Sequence, residues 1–213
     1  TMLKKKLLIA NWKMNTTSQK DAEGLFLSIR NVISRLNHTH MICCPPHMYV
    51  NQVAQHVNSN NYTVGAQDAY PEESGSRTGE TSVLMVKNSG AGHVILGHSE
   101  RRHLETKIDV ARKVSAVLEH GMKPIICIGE EQRDKNWKKE IKQQLKDVFD
   151  RVSKKEPENI TIAYEPIWAI SGDKKNPATS VQYNESIEVV KEELKKIFRT
   201  QKAVDEISFV YGG

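Results

Sequence analysis

Aromatic side chains are scarce in this 213-residue chain, at 6% of residues. None of them interleaves with a basic run, which removes the stacking platform that single-stranded nucleic acid needs. The net charge of +5 does not restore that class. Its lysines cluster in stretches such as Lys135 to Lys155 and Lys191 to Lys202, mixed with Glu and Asp as on solvated helix faces. Long apolar runs are missing too. Nothing approaches the ~20 residues of a membrane span, so no membrane partner is expected. The basic start, Thr1 to Lys6, is followed only by Leu7 to Ala10 before Asn11, too short an apolar part for an export signal. Cysteine is limited to Cys43, Cys44 and Cys127. Three thiols cannot all pair, two are adjacent in an expected buried strand, and a reducing cytoplasm is the compartment they fit. Cys127 lacks a following base and is expected to be a buried structural thiol. The histidines show no spacing with Cys or acids that would hold zinc, and there is no glycine-rich nucleotide fingerprint.

What the chain does have is alternation. Apolar runs at Leu7–Asn11, His40–Cys44, Tyr62–Gln67, His93–His98, Pro124–Ile128, Ile160–Glu165 and Ile207–Tyr211 predict seven strands. Helical spacings lie between them. Leu25, Ile29, Val32 and Leu36 share one predicted face, as do Ile108, Ala111, Ser115 and Leu118. Ile141, Leu145, Val148 and Val152 form another series, and Tyr183, Ile187, Val190, Leu194 and Ile197 the last. Strand–helix alternation without a linker predicts an α/β fold with a parallel sheet covered by helices, in one domain over residues 1–213.

Three of the apolar runs end in chemistry. Leu7 to Ala10 leads into Asn11-Trp12-Lys13-Met14-Asn15. Val94 to Leu96 leads into Gly97-His98-Ser99-Glu100-Arg101-Arg102. Ile160 to Tyr164 leads into Glu165-Pro166-Ile167-Trp168-Ala169. Pro166 has no amide proton to extend a ladder, so a loop begins there with a carboxylate at its root. Beside Ile167 and Trp168 that carboxylate is partly desolvated, as suits a general base. An ammonium, an imidazole and a carboxylate thus each stand where a strand gives way to polar sequence. Taken alone, each also fits a surface or packing residue.

In these motifs the chain resembles the triosephosphate isomerases. The likeness runs from Leu7 to Gly213 and includes Gly79-Glu80, Cys127-Ile128-Gly129-Glu130 and Tyr211-Gly212-Gly213. The resemblance implies a (β/α) barrel and interconversion of dihydroxyacetone phosphate and D-glyceraldehyde 3-phosphate through an enediolate, in glycolysis and gluconeogenesis, with no cofactor or metal. It implies Glu165 as the base, His98 as the neutral imidazole electrophile and Lys13 as the cation near the oxyanion. Asn11 and Glu100 would orient them, while Asn15, Gln67 and Trp12 would pack or hydrogen-bond. Ser171, Gly212 and Gly213 would join Asn11 and Lys13 in binding substrate, and the positive charge would draw in its phosphate. The loop from Gln67 to Glu80 resembles the one that reaches a neighbouring subunit. Thr78 there would support the partner's Asn11 and Lys13 in a homodimer.

The sequence also departs from that pattern. Seven strands are recognisable where the family has eight, which leaves three alternatives: a sequence that ends early, an enzyme closed around seven strands, or a piece completed by another chain. The serine that follows Tyr-Gly-Gly in the family and its later Gly-Gly lie beyond Gly213. Ser171-Gly172-Asp173 replaces the family's Gly-Thr-Gly hinge. Each charge-assisted amide bond lost from a phosphate costs about 1.5–3 kcal/mol, so weakened phosphate binding is expected of this chain alone. After Arg102, the short His103-Leu104-Glu105-Thr106 leaves the place of Glu105 open. From a different class, the alternative is a barrel remnant that acts as a binding or assembly subunit.

Overall fold

The computed structural model describes residues 6–150, 152, 156–170 and 177–212. Ser171, Gly172, Asp173, Lys174, Lys175 and Gly213 lie outside the described residues. The chain divides into two compact units. One runs to Ile95 and includes Glu119–Lys123; the other takes Leu96–Leu118 and the chain from Pro124 onward.

In the first unit, strands β1 (Lys6–Asn11), β2 (Thr39–Cys44), β3 (Tyr62–Ala66) and, up to Ile95, β4 (His93–Leu96) alternate with helices α1 (Gln19–Ile33), α2 (His47–Gln55) and α3 (Val83–Asn88). The strands pair in parallel with their sequence neighbours, Asn11 level with Cys44 and Ala66 with Val94. Met41 to Cys44, Val64 and Ala66 are buried, the near-continuous apolar burial of a parallel sheet covered on both faces. Ser18 caps α1 by accepting from the Asp21 amide, and Ser82 caps α3 through Met85.

The second unit holds α4 (Lys107–Glu119) up to Leu118, β5 (Lys123–Ile128) from Pro124, α5 (Trp137–Phe149), β6 (Thr161–Tyr164), α6 (Ser180–Phe198), α7 (Gln201–Glu206) and β7 (Ser208–Tyr211). Here β5, β6 and β7 pair in parallel, bringing Ile128, Tyr164 and Tyr211 level. Thr179 and Gln182 form a reciprocal capping box that starts α6. The predicted series on α5 is buried as expected, from Ile141 through Leu145 to Val148, with Val152 beyond its end. Ile187, Val190 and Leu194 do the same on α6.

Two predicted helix faces are corrected. On α1, Leu25 and Val32 are exposed, as is Leu36 past its end, and the buried residues are Ala22, Phe26 and Ile33. Both stripes fit the helical period, at steps of three, four or seven residues, so periodicity cannot separate them; the edge contact of Phe26 with Tyr62, at 5.7 Å between ring centroids, does. On α4, Ile108 is exposed, and Val110, Val114 and Val117 are buried beside Ala111. Three strands also stop sooner than expected, at Ala66, Leu96 and Tyr164. Gln67, His98 and Glu165 therefore stand just past a strand end, where the side chain is released from the ladder.

Candidate active site

The first unit carries an ammonium on an unusual backbone. Lys13 lies past β1 with a φ of 54°, the left-handed region that costs a non-glycine residue about 1–3 kcal/mol. Its neighbours hold it there. Asn11 accepts the Lys13 amide through Oδ1 at 3.0 Å, and Gln67 Nε2 donates to the Lys13 carbonyl at 2.8 Å. The same Gln67 amide donates to Cys44 O at 3.0 Å, tying the loop after β1 to the end of β2. Asn11 thus contacts the Lys13 backbone. Gln67 and the buried Trp12 are hydrogen-bonding and packing residues respectively. Asn15 donates to the Trp12 carbonyl.

The loop between β3 and α3 is closed at its base. Tyr70 donates to Thr81 O at 2.8 Å and accepts from the Val83 amide at 2.8 Å. Arg77 Nε donates to the Tyr70 hydroxyl at 2.7 Å, and its guanidinium pairs with Glu72 at 3.4 Å. Gly79, at a φ of 95°, turns the chain directly after Thr78, which is left exposed.

The second unit carries the imidazole and the carboxylate. Gly97, with a φ of 70°, ends the β4 run and presents His98 at the cap of a 3-10 turn, Ser99–Arg101. The Glu100 amide donates to His98 Nδ1 at 3.2 Å. An amide hydrogen bond needs a lone pair on Nδ1, so the proton sits on Nε2 and the ring is the neutral tautomer. The Glu100 carboxylate, 3.8 Å from Nδ1, would favour the opposite tautomer; the shorter, directed amide bond prevails. Nε2 is 3.6 Å from Glu165 Oε2. Both side chains are nearly buried, at 11% and 14% exposure, and Oε2 has no hydrogen-bond partner among the described residues. A buried carboxylate oxygen without a partner keeps its lone pairs for an incoming proton.

Glu165 is held by backbone on both sides. Its amide donates to Ile128 O at 2.7 Å. A Cβ on Gly129 would lie 2.0 Å from the Glu165 carbonyl oxygen, and one on Gly212 would lie 2.9 Å from Glu165 Oε1. At Gly129 the clash is with backbone and only glycine fits, whereas a side chain at 212 would have to displace the Glu165 side chain. Of the three residues expected to complete substrate binding, Gly212 therefore backs the carboxylate; Ser171 and Gly213 lie outside the described residues.

Beneath the site is a network that the sequence did not single out. Glu130 is fully buried. It accepts from the Tyr164 hydroxyl at 3.0 Å, Trp168 Nε1 at 2.9 Å and Arg133 Nη1 at 3.1 Å. Arg133 also donates to Ser186 and Glu185 and stacks 3.8 Å above the Trp137 ring. The beginning of the loop after Glu165 is fastened by Trp168 to a buried, compensated charge. The motif Cys127-Ile128-Gly129-Glu130 was the signal available, but its spacing alone gives no partner. Glu105 also finds its place: its buried carboxylate pairs with Lys113 Nζ and lies 3.8 Å from Arg101 Nε.

Cys127 is buried, as expected of a structural thiol, as are Cys43 and Cys44. Burial pushes the Cys43 thiol up to about 12 and Cys44 higher still, so neither is a nucleophile near neutrality. Among the described residues, no group of three or more His, Cys, Asp and Glu side chains is arranged to hold a metal ion, and no helix is long and apolar enough to cross a membrane.

Comparison with known proteins gives a consistent answer. Residues 6–213 match the family model described as Triosephosphate isomerase. A Triosephosphate isomerase of Clostridium botulinum (strain ATCC 19397 / Type A) is 37% identical over 212 residues, covering 97% of this chain and 84% of the relative. One of Alkaliphilus oremlandii is 36% identical over 219 residues, covering 99% and 85%. One of Rhodopirellula baltica is 36% identical over 218 residues, covering 100% and 84%.

Proposed function

The chain belongs to the triosephosphate isomerase family, with its (β/α)-barrel fold and the interconversion of dihydroxyacetone phosphate and D-glyceraldehyde 3-phosphate; from that premise we propose which residues carry the reaction. Glu165 removes a proton from one substrate carbon and returns it to its neighbour. His98, neutral and protonated on Nε2, donates to the carbonyl oxygen and polarises it. Lys13 supplies the positive charge that stabilises the enediolate oxygen. A proton moves between adjacent carbons, so nothing is oxidised or lost overall and no cofactor is required.

The observation that carries this reading is the unpartnered Oε2 of Glu165, 3.6 Å from an imidazole nitrogen whose tautomer the Glu100 amide fixes. Asn11 and Glu100 act by position, the first on the Lys13 backbone and the second on the His98 ring. Asn11, Lys13, Ser171, Gly212 and Gly213 contribute to binding, the glycines by their backbone amides and by leaving room. A coupled assay tests the assignment. Glu165→Gln should lower kcat by about 100- to 10,000-fold, the usual contribution of a positioned base. Undiminished turnover in that variant removes Glu165 from the role. No turnover by the wild type, together with no binding of a phosphoglycolate-like anion, would favour a non-catalytic remnant.

We further propose that the protein is a cytoplasmic homodimer of single-domain subunits. Three buried free thiols suit a reducing compartment. The closed loop that exposes Thr78, and Met14 beside Lys13 at 94% exposure, give a polar tip and an apolar side chain that a second copy would cover.

A further inference from the structure

We propose that Gln144, on α5, is a positioning residue for Glu165, acting through the backbone of Gly129. This rests on Glu165 being the base. Gln144 makes a two-point clamp: its Oε1 accepts the Gly129 amide at 3.0 Å, and its Nε2 donates to the Gly129 carbonyl at 3.0 Å. Arg102 Nη1 donates to the same carbonyl at 2.9 Å. The oxygen and the NH2 of the Gln144 side chain are thus both used on one residue, holding the two peptide units that flank the Gly129 Cα.

Gly129 is the wall behind the base. Gly129 packs so closely on Glu165 that a Cβ would overlap the Glu165 carbonyl. The adjacent Ile128 carbonyl receives the Glu165 amide at 2.7 Å. A rotation or retreat of Gly129 therefore moves the Glu165 backbone, and with it a carboxylate whose Oε2 has no hydrogen bond among the described residues. The clamp itself is anchored. Ile141, Leu145 and Val148 bury the inner face of α5, and Gln144 Nε2 is oriented by a further bond to Glu140 Oε1 at 3.2 Å.

Gln144 also lines a cavity of about 660 Å³, whose wall includes Arg102, Glu140, Val110 and Ile128. The cavity makes the clamp open to substitution, because an altered side chain at 144 has room and does not overpack the core. A purely structural glutamine there would alter stability alone. A positioning glutamine alters the chemical step, where a displacement of about 1 Å can cost about 100-fold.

The test uses Gln144→Leu, Gln144→Glu and, as a control, Gln143→Leu, whose side chain donates to Asp147 in the next turn. Gln144→Leu is expected to lower kcat about 10- to 100-fold with KM within about twofold. The primary deuterium isotope effect on kcat, with substrate labelled at the abstracted position, should rise. Gln144→Glu keeps the acceptor for the Gly129 amide but sets oxygen against its carbonyl, and should fall between wild type and Gln144→Leu. Gln143→Leu should match wild type. In a Glu165→Asp background, where the carboxylate is already withdrawn, Gln144→Leu should cost several-fold less than in wild type.

Unchanged kcat in Gln144→Leu overturns the proposal. So does a loss that is equal in both backgrounds, or one carried by KM with an unchanged isotope effect. If Gln144→Leu does not fold, Gln144→Glu, which conserves volume, gives the same decision through its kcat and isotope effect. Glu165→Asp measured alone tests the base separately: undiminished turnover in Glu165→Asp would refute the catalytic assignment, whereas an impaired Glu165→Asp beside a wild-type-like Gln144→Leu refutes only the clamp.

Discussion

His93 begins β4 half-buried, with Nδ1 3.4 Å from the Thr63 hydroxyl, which in turn lies 3.1 Å from His40 Nε2. Burial, and then the nearby charge of Lys123 and the second imidazole of His40, push its pKa down to about 3 from an ordinary 6.5. The sign follows from proton counting. Between those values the unfolded chain binds the proton and the folded chain does not, so stability falls as pH drops from about 6.5 toward 3. Urea unfolding at pH 7, 5 and 4 should show that decline, and His93→Gln should make it shallower. An unchanged slope would mean that His93 is charged in the fold. Gly212 gives a second test at this scale. A Cβ there would come 2.8 Å from Glu165 Cγ, so Gly212→Ala should reduce kcat at least about tenfold by forcing the carboxylate from its place, while leaving the secondary structure seen by circular dichroism intact.

At the scale of the element, the loop after β6 depends on a buried charge. Arg133 compensates Glu130, and removing one partner of such a pair costs about 3–5 kcal/mol because the other charge is left uncompensated. Arg133→Met should therefore lower stability by that order in chemical denaturation, and adding Glu130→Gln should recover a large part of it. A double variant no more stable than Arg133→Met would place the cost elsewhere. Little of this was legible in the sequence. The strands were, because parallel strands read as short apolar runs, and so was the placing of Lys13, His98 and Glu165 just past strand ends. Arg133 was not: its partners Ser186 and Glu185 lie 53 and 52 residues away, and a charged residue between β5 and α5 looks the same whether solvated or buried. Gln144 was hidden for a similar reason, since an amide beside the apolar face of α5 carries no mark of the peptide it holds. The inner face of α1 was misread because two apolar stripes share one period and only the contact with Tyr62 distinguishes them.

For the whole molecule, the two compact units are expected to unfold together if they form the single domain proposed above. Calorimetric and van't Hoff enthalpies should then agree; two separate transitions would mean independently folding parts. Assembly offers another measurement. Thr78→Arg should shift the protein from dimer toward monomer in sedimentation and reduce turnover with it, whereas an Arg variant that stays dimeric would place the interface on another surface.

Glu165 stands between two glycines, and the consequence extends to any exhaustive substitution scan under selection for turnover. Positions 129 and 212 should tolerate replacement almost as poorly as position 165, although neither offers a functional group to the reaction. Sensitivity there would be blind to charge, polarity and helix propensity, and would set in with the first carbon added. What such a scan would be reporting is a requirement for vacancy: two small volumes beside the carboxylate that must contain nothing.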